Sequence, residues 1–236
     1  MTSQIPLFPL ETVLLPEMVL PMRIFEPRYV AMLRDLQAER RIQGGDGPLE
    51  FGIIALRSGF SRADDWPRAE AGLPDVYPIG CMAQIHQLKK VEDLYQMKVS
   101  GGRRFEVRSF HTDKTYLRAE VNDLVDTADP DPEGTDRAAT DSLRLFREYT
   151  KQVQTHLGAQ ISIEAETIPS DPKDLSWLIA AAIRLPRSER QALLSTHSDA
   201  DRLALQVALL RREVACLQVW PSLQVGAEHF AAPSRN

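Results

Sequence analysis

From Ile5 to about Leu124 the apolar residues fall in short runs separated by proline and glycine, the spacing of β-strands rather than of long helices. One helix interrupts this half. Glu26 and Pro27 open a segment from Arg28 to Arg41 whose Val30, Leu33, Leu36 and Gln37 follow helical spacing, and Gly44, Gly45 and Gly47 stop it. That helix is expected to cover one mouth of the sheet. Phe51 to Leu56 and Gly80 to Leu88 are continuous apolar runs of strand length, joined by a long connection from Arg57 to Pro78. Tyr95, Met97 and Val99 alternate with polar residues, as do Phe105 and Val107 after Gly101-Gly102, so the sequence predicts a hairpin turning at the two glycines. On that reading Tyr95, Met97, Val99, Phe105 and Val107 face inward, and Gln96, Lys98, Arg104 and Glu106 face solvent. Leu117, Ala119 and Val121 add a last strand.

Thr127 to Asp136 is polar and rich in proline and acid, the composition of a linker. Beyond it the period becomes helical. Ala139, Leu143, Phe146, Val153 and Leu157 mark one amphipathic helix; Asp171 and Pro172 cap a second, carrying Leu175, Leu178, Ile179 and Ala182. A short helix follows Pro186. After a Ser198 cap with Asp201 three residues on, Leu203, Val207, Leu210, Val214 and Leu217 recur at helical spacing. The expected organisation is a β-rich part over 1–126, a linker over 127–136, an α-helical part over 137–225 and a flexible tail over 226–236. The fold class is α+β.

A chain of 236 residues, 43% hydrophobic and 26% charged, can bury a core without disulfides or metals. Its formal net charge of -5 gives no global attraction to phosphate backbones or anionic lipid. Cys81 and Cys216 stand far apart with no metal or redox spacing, which suits a reducing compartment and small apolar packing roles. The apolar amino terminus fails as a signal peptide, because no Lys or Arg precedes it and Pro6, Pro9, Pro16 and Pro21 break it. No later stretch approaches the ~20 uninterrupted apolar residues of a membrane span. The expectation is a cytoplasmic protein without a membrane partner.

Three stretches carry a family resemblance: IPLFPLETVLLPEMVLPMRIFEPRY from Ile5 to Tyr29, YPIGCMAQIHQL from Tyr77 to Leu88, and VSGGRRFEV followed by YLRAEV. Together with the helix, Leu-Pro break and long helix of the carboxy-terminal part, they resemble the Lon protease amino-terminal (substrate-binding, PUA-like) domain, in its free-standing bacterial form. The resemblance covers nearly the whole chain. It implies a PUA-like β pseudo-barrel with one covering helix, followed by a small α-helical bundle. It also implies a non-catalytic protein-binding role, with unfolded or tagged polypeptides as partners and an adaptor or holdase task in protein quality control. The family's ATPase and Ser-Lys protease domains have no counterpart here, and no G-x-x-x-x-G-K-[ST] loop occurs to cradle a nucleotide. The readings kept beside this one are an RNA-binding PUA-like protein and an enzyme of unrecognised type.

Candidate chemistry is thin. Cys81 and His86 are five apart in one strand, so they point to opposite faces and make a poor nucleophile and base. The five histidines show no metal-ligand spacing, and the paired acids Asp64-Asp65 and Glu92-Asp93 sit in polar, turn-like sequence where solvation is the ordinary state. Neither a catalytic residue, a cofactor nor a metal is expected. Arg103, Arg104 and Arg108 could form a basic patch, yet Glu106 interrupts them and no stacking aromatic alternates beside them.

For peptide binding the candidates are Phe60 and Trp66, two rings in an otherwise polar connection, together with Met18 and Met22, since methionines adapt to varied ligands. The competing reading folds both rings back onto the barrel. Met18, Val19, Leu20, Met22, Ile24 and Phe25 read mainly as core, with a few lining a groove. Trp177 and Trp220 read as core or interface residues of the helical part.

Overall fold

The computed structural model describes residues 2–44, 47–57, 75–92, 94–128, 130–157 and 168–219. These divide into two compact units, 2–125 and 126–219. The first holds β1 (Thr2–Leu10), β2 (Val19–Ile24), α1 (Pro27–Gln43), β3 (Leu49–Ala55), β4 (Ile79–Val91), β5 (Leu94–His111) and β6 (Arg118–Leu124). Its six strands run in the order β2-β5-β4-β3-β1-β6, and a further pairing of β5 with β6 closes all but β2 into a ring. β1 serves two neighbours in turn: Thr2 to Pro6 pair antiparallel with β6, and Leu7 to Leu10 pair parallel with β3.

β3 is buried from Phe51 to Ala55 without alternation, so both of its faces are covered. On one face Ile5, Leu7, Ile54, Met82, Phe105, Leu117 and Val121 form a core. On the other, the ring of Phe8 lies 6.1 Å from Phe51 and stacks at 3.9 Å on Tyr29 of α1. Helix α1 thus covers the sheet through Tyr29, Met32 and Leu33, all buried. A side-chain bond adds to this: Asp35 of α1 accepts from the Tyr116 hydroxyl at 2.9 Å and from Lys114 at 3.1 Å.

The expected hairpin at Gly101-Gly102 is not there. β5 runs unbroken through both glycines, and the chain reverses instead after Val91, where Glu92 takes a φ of 54°. The glycines answer to close approach rather than to a turn. A Cβ on Gly101 would collide with the Leu15 carbonyl, because the segment before β2 crosses β5 at that point. Gly80 sits opposite Phe105 in the ladder, and a Cβ there would strike the Phe105 ring. The Ile79-Gly80 and Gly101-to-Phe105 motifs are therefore two sides of one tight contact.

Met97, Val99 and Phe105 are buried, Tyr95 and Val107 half-buried, and Gln96 and Lys98 exposed. Glu106 is half-buried and Arg104, at 4% exposure, is buried against expectation. Its cause lies in the register, which shifts between Cys81 and Ala83: Gly101 faces Ala83 while Arg104 faces Cys81. β5 carries one residue more than β4 across that interval, so the alternation slips.

The second unit holds α2 (Pro132–Leu157), α3 (Pro172–Ala182), α4 (Arg187–Leu194) and α5 (Asp199–Val219). α2 starts inside the stretch read as a linker, with Pro132 to Asp136 helical, because the Asp131 carboxylate accepts from the Gly134 amide at 3.0 Å. Asp171 accepts from the Lys173 and Asp174 amides, and Ser198 accepts from the Asp201 amide at 3.0 Å while donating to its carboxylate at 2.8 Å. Both caps stand where the sequence put them. The core is not purely apolar: Arg202 and Gln206 of α5 are fully buried. Arg202 donates to Ser176 at 2.7 Å, to Thr196 at 3.3 Å and to Asp126 at 3.3 and 3.4 Å, with its guanidinium 3.8 Å over the Trp177 ring. Gln206 donates to the Ser176 carbonyl and accepts from Ser142. Among the described residues no helix is long and apolar enough to cross a membrane.

Candidate functional site

β2 lies at the edge of the sheet and, among the described residues, pairs with β5 alone. Its side chains alternate: Met22 and Ile24 are buried, whereas Val19, Pro21 and Arg23 are exposed. Phe25, next in the alternation, is 47% exposed and Val19 is 62% exposed. The apolar run that reads as core is therefore split by its period of two, and half of it faces solvent.

The hydrogen-bond pattern fixes which backbone groups are presented. The Gly101 amide donates to the Met18 carbonyl at 2.9 Å, which makes Val19–Ser100 a pair without direct bonds in the antiparallel ladder. By alternation Val19, Pro21 and Arg23 turn their backbone groups outward, away from β5. Pro21, which has no N–H, stands where no donor to β5 is needed. The edge still offers three carbonyls and the amides of Val19 and Arg23, the arrangement to which an extended chain can add.

Of the candidates for contact, Met22 is 7% exposed and belongs to the core side of β2 against Met97, so it is a packing residue; Met18 is half-buried just before the strand. Phe60 and Trp66 lie outside the described residues, as do Asp64-Asp65 and Trp220. The stem of their connection is described: Leu56 bridges Val76, the Arg57 amide donates to the Asp75 carbonyl, and the Arg57 guanidinium lies 5.4 Å from the Tyr77 ring centre.

The residues weighed for chemistry are placed apart. Cys81 is buried between strands, its thiol donating to the Gly102 carbonyl at 3.3 Å, and burial pushes its pKa up to about 12. A thiol so disfavoured as thiolate is a poor nucleophile. His86 is exposed on the register irregularity of β4 and shares a hydrogen bond with Ser100. Cys216 does not take the packing role expected of it, since it is exposed on α5. The arginine patch also dissolves: Arg103 pairs with Asp123, Arg108 pairs with Glu106 at 3.7 Å, and Arg104 is buried. At the start of α1, Glu26 accepts two bonds from Arg28 at 2.9 and 2.6 Å, so its carboxylate serves Arg28 and not the helix amides. Trp177 is a core residue of its own unit.

Arg202 is the polar residue that sequence reasoning passed over. A signal was present: Arg202, Gln206, Leu209 and Leu210 are spaced by four, three and one, so an arginine and a glutamine lie on the same stripe as buried leucines.

Comparison with known proteins places this architecture. A ring of strands with a covering helix, followed by a helical unit, is shared with a Lon N-terminal domain protein from Xanthomonas campestris (TM-score 0.56, 23% identity, covering 87% of this chain and 98% of that one). It is shared also with the N-terminal domain of a Mycobacterium avium complex Lon protease (TM-score 0.59, 17% identity, 89% and 98%). The profile of the ATP-dependent protease La (LON) substrate-binding domain matches residues 4–212, and the chain belongs to that family. Among curated relatives, Lon protease of Anaeromyxobacter dehalogenans is 27% identical over 217 residues, which are 91% of this chain and 24% of that protein. Lon protease 4 of Sorangium cellulosum is 29% identical over 209 residues, 88% of this chain and 24% of that protein. The chain thus spans about a quarter of the length of these relatives.

Proposed function

We propose that this chain is a non-catalytic recognition module that holds unfolded or tagged polypeptide segments in the cytoplasm, as an adaptor or holdase in protein quality control. The observation that carries the reading is β2: an edge strand with outward backbone groups beside exposed Val19 and Phe25, in a unit whose other large apolar residues are mostly buried. An extended chain adds to such an edge through its backbone and finds apolar side-chain contacts beside it. That mode tolerates varied sequences, as a quality-control module requires.

Phe60 and Trp66 are proposed as further contacts, since two large rings in a polar connection carry most of its potential contact area. The test is binding of a labelled, chemically denatured protein to the purified chain. The Phe60→Ala, Trp66→Ala double variant is expected to lose roughly 2 kcal/mol or more of binding with an unchanged melt. Unaltered binding removes the rings from the site, and an earlier melt assigns them to packing. ATP hydrolysis and casein cleavage are expected to stay at background; turnover that tracks with the purified chain overturns the non-catalytic reading.

A further inference from the structure

The ladder registers line up side chains on the outer face of β2, β5 and β4. Arg23 stands beside Gln96 and Lys89; Pro21 stands beside Lys98 and Gln87; Val19 stands beside Ser100 and Gln84. Arg23, Lys89 and Lys98 are all exposed, and none of them makes an ion pair among the described residues. Strands lie about 4.8 Å apart and diagonal neighbours about 7 to 8 Å apart, so the positions of Lys98 and either partner fall within one Debye length, about 8 Å at physiological ionic strength. The three charges therefore act on one ligand together. Among the described residues paired on this face the acid is Glu50, which is engaged by the Gln84 amide at 2.8 Å. In a chain of net charge -5, this is a local cationic face bordered by Val19, Pro21 and Phe25.

We infer that this face selects its polypeptide by charge: it docks an extended segment with acidic side chains among apolar ones, running along the β2 edge. The inference rests on the polypeptide-binding reading and narrows it to a class of sequence. Charge complementarity supplies the acidic preference. The outward carbonyls of Val19, Pro21 and Arg23, spaced along one strand edge, match the repeating amides of an extended polypeptide, whereas a phosphate backbone carries no donor for them. Val19 and Phe25 supply the apolar contact, and Phe25 alone is too little for a stacking platform.

The experiment is fluorescence anisotropy with a labelled peptide alternating glutamate with valine or leucine, its glutamine and lysine counterparts, and a labelled oligothymidylate. The glutamate peptide is expected to bind tightest, more weakly as salt rises, and about tenfold or more weaker to Lys89→Glu/Lys98→Glu, which should favour the lysine peptide. Lys89→Gln/Lys98→Gln should fall between, and melts of both variants confirm the fold. Equal binding of all three peptides, unmoved by charge reversal while denatured protein still binds, overturns the inference and leaves the recognition role standing. Loss of denatured-protein binding by the unmodified chain removes both. Oligothymidylate binding tighter than the glutamate peptide, and lost on charge reversal, overturns it in favour of a nucleic-acid surface.

Discussion

Two arginines of α5, Arg202 in its first turn and Arg212 two turns before its end, invite opposite conclusions from geometry alone. Arg212 has the shorter bonds: both of its terminal nitrogens reach Glu189 at 2.6 Å, with Glu213 adding a third at 2.7 Å. Arg202 has longer ones, 3.3 to 3.4 Å to Asp126. Yet the Arg212 side chain is 46% exposed and that of Arg202 is fully buried. At the wet site water replaces whatever partner is lost, so the short bonds are worth little. At the dry site burial pulls the Arg202 pKa down, with Asp126 opposing that shift, and nothing replaces a missing partner. Environment outranks distance.

The largest effect should therefore come from the buried site. Arg202→Met is expected to destabilise the helical unit by about 3 to 5 kcal/mol, because it breaks the buried ion pair with the 12%-exposed Asp126 carboxylate and the bonds to Ser176 and Thr196. Urea denaturation of the full chain measures this. The double variant Arg202→Met with Asp126→Leu should recover part of the loss, since removing both charges removes the desolvation cost as well. If the double variant is no better than the single, the cost lies in packing over Trp177 and the lost bonds to Ser176 and Thr196, and not in the broken ion pair.

Ser198→Ala comes next and tests the cap of the same helix. Losing the bond to the Asp201 amide should cost about 1 kcal/mol, the usual worth of a serine cap. Arg212→Ala should cost less, about 0.2 to 1 kcal/mol, and the difference should shrink in 1 M salt. A loss for Arg212→Ala equal to that of Arg202→Met would break the comparison, because bond length would then have predicted stability better than burial.

The same distinction explains what could be read from the sequence. Helix caps were legible, since Asp171-Pro172 and Ser198 with Asp201 are local patterns that need no tertiary partner. Strand runs were legible too, as in the continuous apolar run from Phe51 to Leu56 that forms most of β3. What failed depended on remote chain. Gly101-Gly102 looks like a turn unless the approach of Leu15 is known. Arg104 looks exposed unless the register slip opposite Cys81 is known. At the candidate site the sequence shows an apolar amino-terminal run, but the alternation of β2 assigns solvent to Val19 and Phe25 and core to Met22, one residue out of step with the methionines. The cationic row of Arg23, Lys98 and Lys89 is spread over three strands and exists only after pairing.

The smallest effect concerns the first unit, where Asp35 of α1 extends the rule to a half-exposed group. Hydrogen bonds from Tyr116, then from Lys114, hold its carboxyl below the usual aspartate range. A depressed carboxyl pKa means that the stabilisation is complete above the unfolded value, about 3.9, and is lost as pH falls through the folded one. Asp35→Asn keeps an acceptor for Tyr116 but forfeits the charge. The variant should therefore melt slightly below the parent at pH 7, and the gap should close as pH drops below about 4. Because the Asp35 side chain is 39% exposed, solvent screens the Lys114 pair and the gap at pH 7 should stay under about 1 kcal/mol. Raising salt should narrow it further at pH 7 while leaving the acid end unchanged. A gap that widens toward low pH reverses the sign of the linkage, and would mean that the charge at position 35 opposes folding instead of fastening α1 to the sheet.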